Sequence, residues 1–431
     1  MNSENLAGTF TLKNLRPEEQ LIIVCAQSVI EKGTSEVIKH LVETELDWTS
    51  VYSLAQQNFV MPLLCFSLLN TCPELLPHEV RRCLDEYVKR HVRNNLLQTS
   101  ELLAAVRLLQ EHGIPSLPLK GPTLSVIAYG GLSHRSFGDL DILVPKISFR
   151  KSVEVLRSAG YTSTTELGWT DKVPFLAGNK KDYGLFKNGG RTRVEVHWRL
   201  SGTHFGLPID LRELWPRLTT IGLAGQSVNT LPTNELFLYL CTHGARHGWE
   251  RLQWICDIAE LVRGADSLDW DQLFRLANRF GCERVLCLSL FLIRDLFGTE
   301  MPEWVIERVN SFKHAGELAR YVYLRLFRNS DHVTTTGDWY RYHLGLKERK
   351  RDKLKLHSFY AYRYVRLLLR PNQRDHDLLD LPSSLSFVFY LVRPLRLGRD
   401  YGFSAVKRHF KGRPWLLALT AAAALQNFIC N

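Results

Sequence analysis

Between residues 16 and 112 apolar positions return every three or four residues, the spacing of helices with one buried face. Arg16-Pro17-Glu18-Glu19 opens the first with an acidic first turn, and Leu21, Ile22, Cys25 and Val29 follow at helical spacing. The longest helix is predicted to begin near Pro77. Val80, Leu84, Tyr87, Val88, Val92, Leu96, Leu97, Leu102, Leu103, Val106 and Leu109 carry its stripe until Gly113 stops it. Nothing in this stretch points to chemistry, and it reads as a helical platform.

From Ile114 the pattern changes. A short apolar run with two prolines, Ile114 to Leu119, predicts a strand entering a turn at Lys120-Gly121-Pro122. A short helix over Thr123 to Tyr129 ends at Gly130-Gly131. The alternation of Asp139-Leu140-Asp141-Ile142-Leu143-Val144 predicts a second strand, stopped by Pro145, and a helix from Phe149 to Ala159 ends at Gly160. Tyr183 to Phe186 and Arg191 to Trp198 flank Lys187-Asn188-Gly189-Gly190, a strong hairpin signal. From Pro232 helical spacing returns, with Leu236, Leu238, Tyr239 and Leu240 in its first helix. The fold class expected is therefore α+β, a small mixed-sheet core inserted between N-terminal and C-terminal helical domains. The expected divisions are 1–113 (helical), 114–230 (α/β core), 231–344 (helical) and 345–431 (basic, aromatic-rich).

The strand at 139–144 carries the strongest chemical signal. Residues two apart on a strand share a face, so Asp139 and Asp141 project together while Leu140, Ile142 and Val144 face the core. Paired carboxylates in an apolar strand repel each other and lose hydration, and a hard divalent cation, Mg²⁺ or Mn²⁺, makes the pair favourable. A solvent-facing strand is the plain alternative for so short a motif. In Arg193-Val194-Glu195-Val196-His197-Trp198 the same alternation puts Arg193, Glu195 and His197 on one face. A third carboxylate on an adjacent strand is what a two-metal phosphoryl-transfer site needs. His197 reads as a residue behind the ligands, a base, or a cross-strand histidine with its own partner.

Lys120-Gly121, Arg135-x-x-Gly138-Asp139-x-Asp141-x-Leu143-Val144 and Val194-Glu195-x-His197-Trp198 together resemble the polymerase-β-like nucleotidyltransferase superfamily. In particular the sequence looks like the branch of bacterial nucleotidyltransferases found beside polysaccharide and peptide-natural-product genes. The resemblance spans roughly residues 114–200 and extends more weakly over His243-Gly244-Ala245-Arg246-His247-Gly248-Trp249 and Leu252-x-Trp254-x-x-Asp257. It implies Asp139, Asp141 and Glu195 as catalytic metal ligands and a nucleoside triphosphate as donor. It implies transfer of a nucleoside monophosphate to an acceptor hydroxyl with loss of pyrophosphate. The superfamily's Gly-Gly or Gly-Ser phosphate turn corresponds here to Gly121-Pro122-Thr123, where Pro122 lacks an N–H. Lys120 and Thr123 are expected to supply part of that binding and Arg135 to neutralise phosphate, unless Lys120 is a solvated turn lysine and Arg135 the partner of a nearby acid; Gly130-Gly131 is an alternative turn. His243 and His247, one helical turn apart, are expected with Arg246 and Asp257 to line the nucleotide cleft, or else to tie two helices together. A zinc pair lacks further ligands at standard spacing. A second reading keeps the fold without catalysis: a binding or scaffold protein in a polysaccharide or natural-product pathway.

Composition narrows the setting. With 45% hydrophobic and 23% charged residues the 431-residue chain is too apolar for disorder and long enough for two or three domains. Nine cysteines, an odd number without a C-x-x-C, read as reduced thiols rather than a disulfide framework. The first ten residues have neither a basic nor an apolar signal region, so a cytoplasmic location is expected. The net charge of +11 lies wholly in 345–413, where 17 Lys/Arg face 6 Asp/Glu; the remainder holds 38 of each. Lys347 to Lys355 and Lys407 to Arg413 form its clusters, and Trp415 to Ile429 is an apolar run shorter than the ~20 residues needed to span a bilayer. These features suit peripheral contact with an anionic membrane at its inner face, an acceptor carrying phosphates, or a basic helical surface packed on its own core. There is no recognisable nucleic-acid-binding module, which ranks RNA modification last.

Overall fold

The computed structural model describes residues 15–163, 181–202, 205–264, 268–327, 336–378 and 383–401. It divides into two compact units, Met1–Leu346 and Lys347–Asn431. The basic cluster at Lys407 to Arg413 and the apolar run at Trp415 to Ile429 lie outside the described residues.

The first unit opens with four helices, α1 (Pro17–Cys25), α2 (Lys32–Val42), α3 (Trp48–Gln57) and α4 (Met61–Thr71), followed by the long α5 (His78–Glu111). Pro17 begins α1 where its missing N–H costs nothing. Helix α5 starts where Pro77 predicts and buries Val80, Leu84, Leu102, Leu103, Val106 and Leu109. Its middle departs from the predicted stripe: Leu96 and Leu97 are exposed, while Asn95, Gln98 and Thr99 are buried. Their side chains hold neighbouring backbone. Asn95 Nδ2 donates to the carbonyls of Leu132 (2.7 Å) and Arg135 (3.0 Å), and Gln98 Nε2 to that of Arg191 (3.1 Å).

The α/β core follows as β1 (Leu117–Pro118), α6 (Pro122–Tyr129), β2 (Asp139–Leu143), α7 (Phe149–Ser158), β3 (Asp182–Lys187) and β4 (Thr192–His197). The four strands form one mixed sheet in the order β1-β2-β4-β3, with β2 and β4 parallel and the other pairs antiparallel. The β3–β4 hairpin turns at Asn188, Gly189 and Gly190, all with positive φ. One sheet face buries Leu140, Ile142, Val144, Val194, Val196 and Trp198 against Leu102, Val106 and Leu109 of α5 and Val153 and Leu156 of α7. The other carries the carboxylates, as the period of two requires.

After a short helix, α8 (Leu211–Leu214), and an antiparallel pair, β5 (Thr219–Leu223) and β6 (Gln226–Thr230), the unit ends in α9 (Thr233–Arg246), α10 (Leu252–Gly264), α11 (Trp270–Phe280), α12 (Glu283–Phe297), α13 (Glu303–Ser311), α14 (Ala315–Phe327) and α15 (Thr336–Gly345). Leu143 of β2 shares its core with Leu236 to Leu240 of α9, so α9 covers the carboxylate side of the sheet. Gly244 has no room for a side chain: a Cβ there would lie 2.3 Å from the Trp249 ring, which is fully buried. The second unit holds α16 (Lys350–Leu369), α17 (Gln373–His376) and α18 (Phe389–Tyr401). Among the described residues no helix is long and apolar enough to cross a membrane.

Candidate active site

Parallel register pairs Asp139 with Arg193 and Asp141 with Glu195, so both β2 carboxylates and Glu195 stand on one face of adjacent strands. His197, opposite Leu143 in that register, adds an imidazole to the same face. Its Nε2 lies 2.9 Å from Asp141 Oδ1 and 3.5 Å from Glu195 Oε2. One donor atom from each of Asp141, Glu195 and His197 lies within 4.8 Å of the others, a spacing that fits a divalent cation. Asp139 stands beside this trio rather than in it, its strand neighbour Arg193 forming an ion pair with Glu195.

Cations already surround the acids. Lys120 Nζ is 2.7 Å from Asp141 Oδ2. Burial alone would raise the Asp141 pKa, yet Lys120 and His197 overcome it and hold the carboxyl well below its ordinary range. Burial works against the Lys120 charge too, and Asp141 outweighs it and raises the lysine pKa. Asp139 is pushed upward by burial and by the like charge of Asp141. At the sheet edge Lys181 forms an ion pair with Asp182, which opposes His197 in the antiparallel register, and Lys181 Nζ is 3.4 Å from His197 Nδ1. Gly184 opposes Glu195, and a Cβ there would meet the Arg193 guanidinium at 3.7 Å.

The turn at Lys120-Gly121-Pro122 lies against the start of β2. Gly121 has φ +63°, and a Cβ on it would sit 3.7 Å from the Asp139 carbonyl. Pro122 is the first residue of α6, and buried Thr123 donates its hydroxyl to the Lys120 carbonyl at 2.7 Å. Gly130, in the left-handed conformation, closes the far end of α6, and Ser125 Oγ donates to the Gly131 carbonyl.

Arg135 pairs with a nearby acid, the plainer of its two readings. It is buried, donating Nε to Asp257 Oδ1 at 2.8 Å and Nη2 to Oδ2 at 2.9 Å. Tyr129 adds a third bond to Asp257, and Gln253 brackets Ser136 by accepting from its N–H and donating to its carbonyl, each at 3.0 Å. With Asn95 these bonds fix the loop that ends in Gly138-Asp139. A phosphate would have to displace a desolvated, bidentate carboxylate to reach this guanidinium, so its geometry is that of a positioning residue.

His243, in the last turn of α9, and His247, which caps it, come together with ring centroids 5.0 Å apart and 5.0 and 5.4 Å from the Trp254 ring. Burial, with Lys120 nearby, holds His243 well below its usual range. Burial, with Arg246, takes His247 down to about 3, so both rings are neutral at pH 7. Arg246 Nη2 donates to His247 Nε2 at 2.8 Å, and its charge is felt by Tyr239, Asp182, Asp141 and Glu195. Sequence reasoning took Tyr239 for an apolar stripe residue, but it stands within electrostatic reach of Lys120 and Asp141. The hairpin register places Asp182 opposite His197 and Lys181 next to Trp198 at the entry to β3, a position the hairpin spacing alone can give.

Residues 44–298 match the profile of a family described as uncharacterised nucleotidyltransferase, well over half the chain. This chain belongs to that nucleotidyltransferase family. The matched stretch contains every site residue above. The chain is also similar to an antigenic nucleotidyltransferase-like protein from Paracoccidioides brasiliensis, known from a crystal structure. Identity is 14% over 48% of this chain and 93% of that one, with a TM-score of 0.28. No curated protein matches the chain.

Proposed function

We propose that this nucleotidyltransferase moves a nucleoside monophosphate from a triphosphate to an acceptor hydroxyl, releasing pyrophosphate. The observation that carries the proposal is the register that sets Glu195 beside Asp141 on the face shared with Asp139, in a chain of that family. Mg²⁺ or Mn²⁺ held by Asp141 and Glu195, with Asp139 adjacent, would supply Lewis-acid stabilisation of charge on the transferring phosphate. The protein's own groups account for the remainder. Lys120 holds Asp141 ionised and brings positive charge to the first turn of α6. Lys181, Arg246 and Arg193 surround the carboxylates with guanidinium and ammonium groups suited to a triphosphate tail. His243, His247 and Trp254 offer neutral ring faces to a base. Each nucleoside triphosphate, offered with Mg²⁺ or Mn²⁺, is assayed for pyrophosphate release. Parent activity lost in Asp141→Asn supports the proposal. Nucleotide binding without release from any triphosphate and acceptor tested favours the silent scaffold instead.

The second unit suggests where the enzyme works. Lys347–Asn431 contains the chain's entire charge excess. Exposed Arg351, Lys355, Tyr362, Arg366 and Leu369 recur at helical spacing along α16, and Phe387 (61% exposed), Leu391 (67%) and Leu395 (69%) stand out around α18. We propose that these exposed basic and apolar side chains dock the unit on anionic lipid, the cations meeting headgroups and the large side chains entering the interface. Flotation with vesicles of anionic phosphatidylglycerol, but not with neutral phosphatidylcholine, supports it. Equal recovery with both, or displacement from anionic vesicles by RNA at stoichiometric amounts, overturns it.

A further inference from the structure

We propose that His197 is a nitrogen ligand of the cation held by Asp141 and Glu195, and that it makes the site prefer Mn²⁺ to Mg²⁺. The inference rests on the nucleotidyltransferase reading above but assigns a residue and an ion preference that the reading leaves open.

The argument begins with spacing. Oxygen ligands at 2.0–2.1 Å from a cation, at right angles to one another, stand about 3 Å apart. His197 Nε2 is 2.9 Å from Asp141 Oδ1 and 3.5 Å from Glu195 Oε2, close to that separation with little rearrangement. Lys120 occupies the other oxygen of Asp141, Oδ2, so Oδ1 is the one turned toward the imidazole. Burial fixes the arrangement: the side chains of Asp141 and His197 are 2% and 1% exposed, leaving few rotamers and little water to replace a missing ligand.

Donor chemistry then separates the ions. Mg²⁺ demands oxygen and gives up its waters reluctantly, whereas imidazole is a ligand of transition ions. Two carboxylates and one imidazole therefore favour Mn²⁺ over Mg²⁺. Coordination uses the lone pair of Nε2, so the proton that Nε2 shares with Asp141 Oδ1 is released to solvent as the cation binds, and the remaining ring proton sits on Nδ1. The Lys181 ammonium, 3.4 Å from Nδ1, has Asp182 as its ion-pair partner and need not stay on the ring. Asp139 lies outside the trio.

The test uses the full-length protein and the metals themselves. Electron paramagnetic resonance follows free Mn²⁺ on titration, Mg²⁺ is titrated in as competitor, and pulsed measurements on bound Mn²⁺ look for a directly coupled imidazole ¹⁴N. The expected result is Mn²⁺ bound at least about tenfold more tightly than Mg²⁺, with the ¹⁴N coupling present. In His197→Gln the coupling vanishes and the preference falls to about threefold or less. Parent protein that binds Mn²⁺ without ¹⁴N coupling overturns the proposal, even if the variant does not fold. Failure of the underlying site is told apart by Asp141→Asn. If that variant binds Mn²⁺ as tightly as the parent, the metal is elsewhere and both readings fall; if it loses Mn²⁺ while the parent lacks the coupling, only the role of His197 falls.

Discussion

The Arg135–Asp257 pair gives a stability prediction with a magnitude. Both side chains are almost fully buried, and Asp257 accepts two bonds from the guanidinium and one from Tyr129, at 2.8, 2.9 and 3.0 Å. Asp257→Asn keeps the shape but removes the charge, leaving a buried guanidinium opposite an amide that can accept through only one oxygen. Removing one member of a buried pair costs about 3–5 kcal/mol. Unfolding entropy near 60 °C is about 2.1 cal/mol/K per residue, so cooperative melting of the first unit, Met1–Leu346, loses about 4–7 °C of Tm. The matched double variant Arg135→Met with Asp257→Leu removes both charges and should recover most of that loss, since apolar replacement of a whole pair is often neutral. Differential scanning calorimetry reads both. Hydrogen exchange adds the local consequence: amides of residues 132–139 should exchange faster in Asp257→Asn while those of α7 keep their protection. A Tm within 1 °C of the parent, or a double variant worse than the single one, would refute the reasoning.

Three further predictions follow from the site and its supports. Gly244→Ala drives a Cβ to 2.3 Å from the Trp249 ring, so it should destabilise the protein by about 2 kcal/mol or more, visible as a lower urea midpoint. His91 and His247, depressed chiefly by burial to about 4 and about 3, take up protons more readily in the unfolded chain. Below the ordinary histidine pKa, stability should therefore fall with pH down to about 4, by at most about 1.4 kcal/mol per pH unit per histidine; His91→Gln should flatten the slope of Tm against pH, and an unchanged slope rules out that source. Lys120→Met should weaken nucleotide binding at least about tenfold in equilibrium dialysis, because it removes the cation beside Asp141 and the α6 turn. Binding equal to the parent would place the triphosphate elsewhere.

Much of the site was legible because strand period and family motif act over short distances. Alternation in Asp139-Leu140-Asp141 and Val194-Glu195-Val196 fixed which side chains share a face, and the structure places them there. The Lys-Asn-Gly-Gly turn announced the hairpin because left-handed backbone favours those residues. Helix α5 shows where such reading stops. Leu96 and Leu97 looked like core and are exposed, while Asn95 and Gln98 are inside because the loop at 132–135 and the backbone at Arg191 need donors.

By itself the sequence determined the α+β order of elements, the carboxylate face, the hairpin and the location of all net charge beyond residue 345. These follow from periodicity, turn chemistry and counting, each local to one element. Only the tertiary structure decided what each side chain meets. Arg135 finds Asp257 across 122 positions of sequence, Lys120 reaches Asp141 from a different element, and His197 joins the acids on a parallel strand. A free guanidinium and a buried, paired one look the same in sequence, because burial and ion pairing are set by the packing of distant elements.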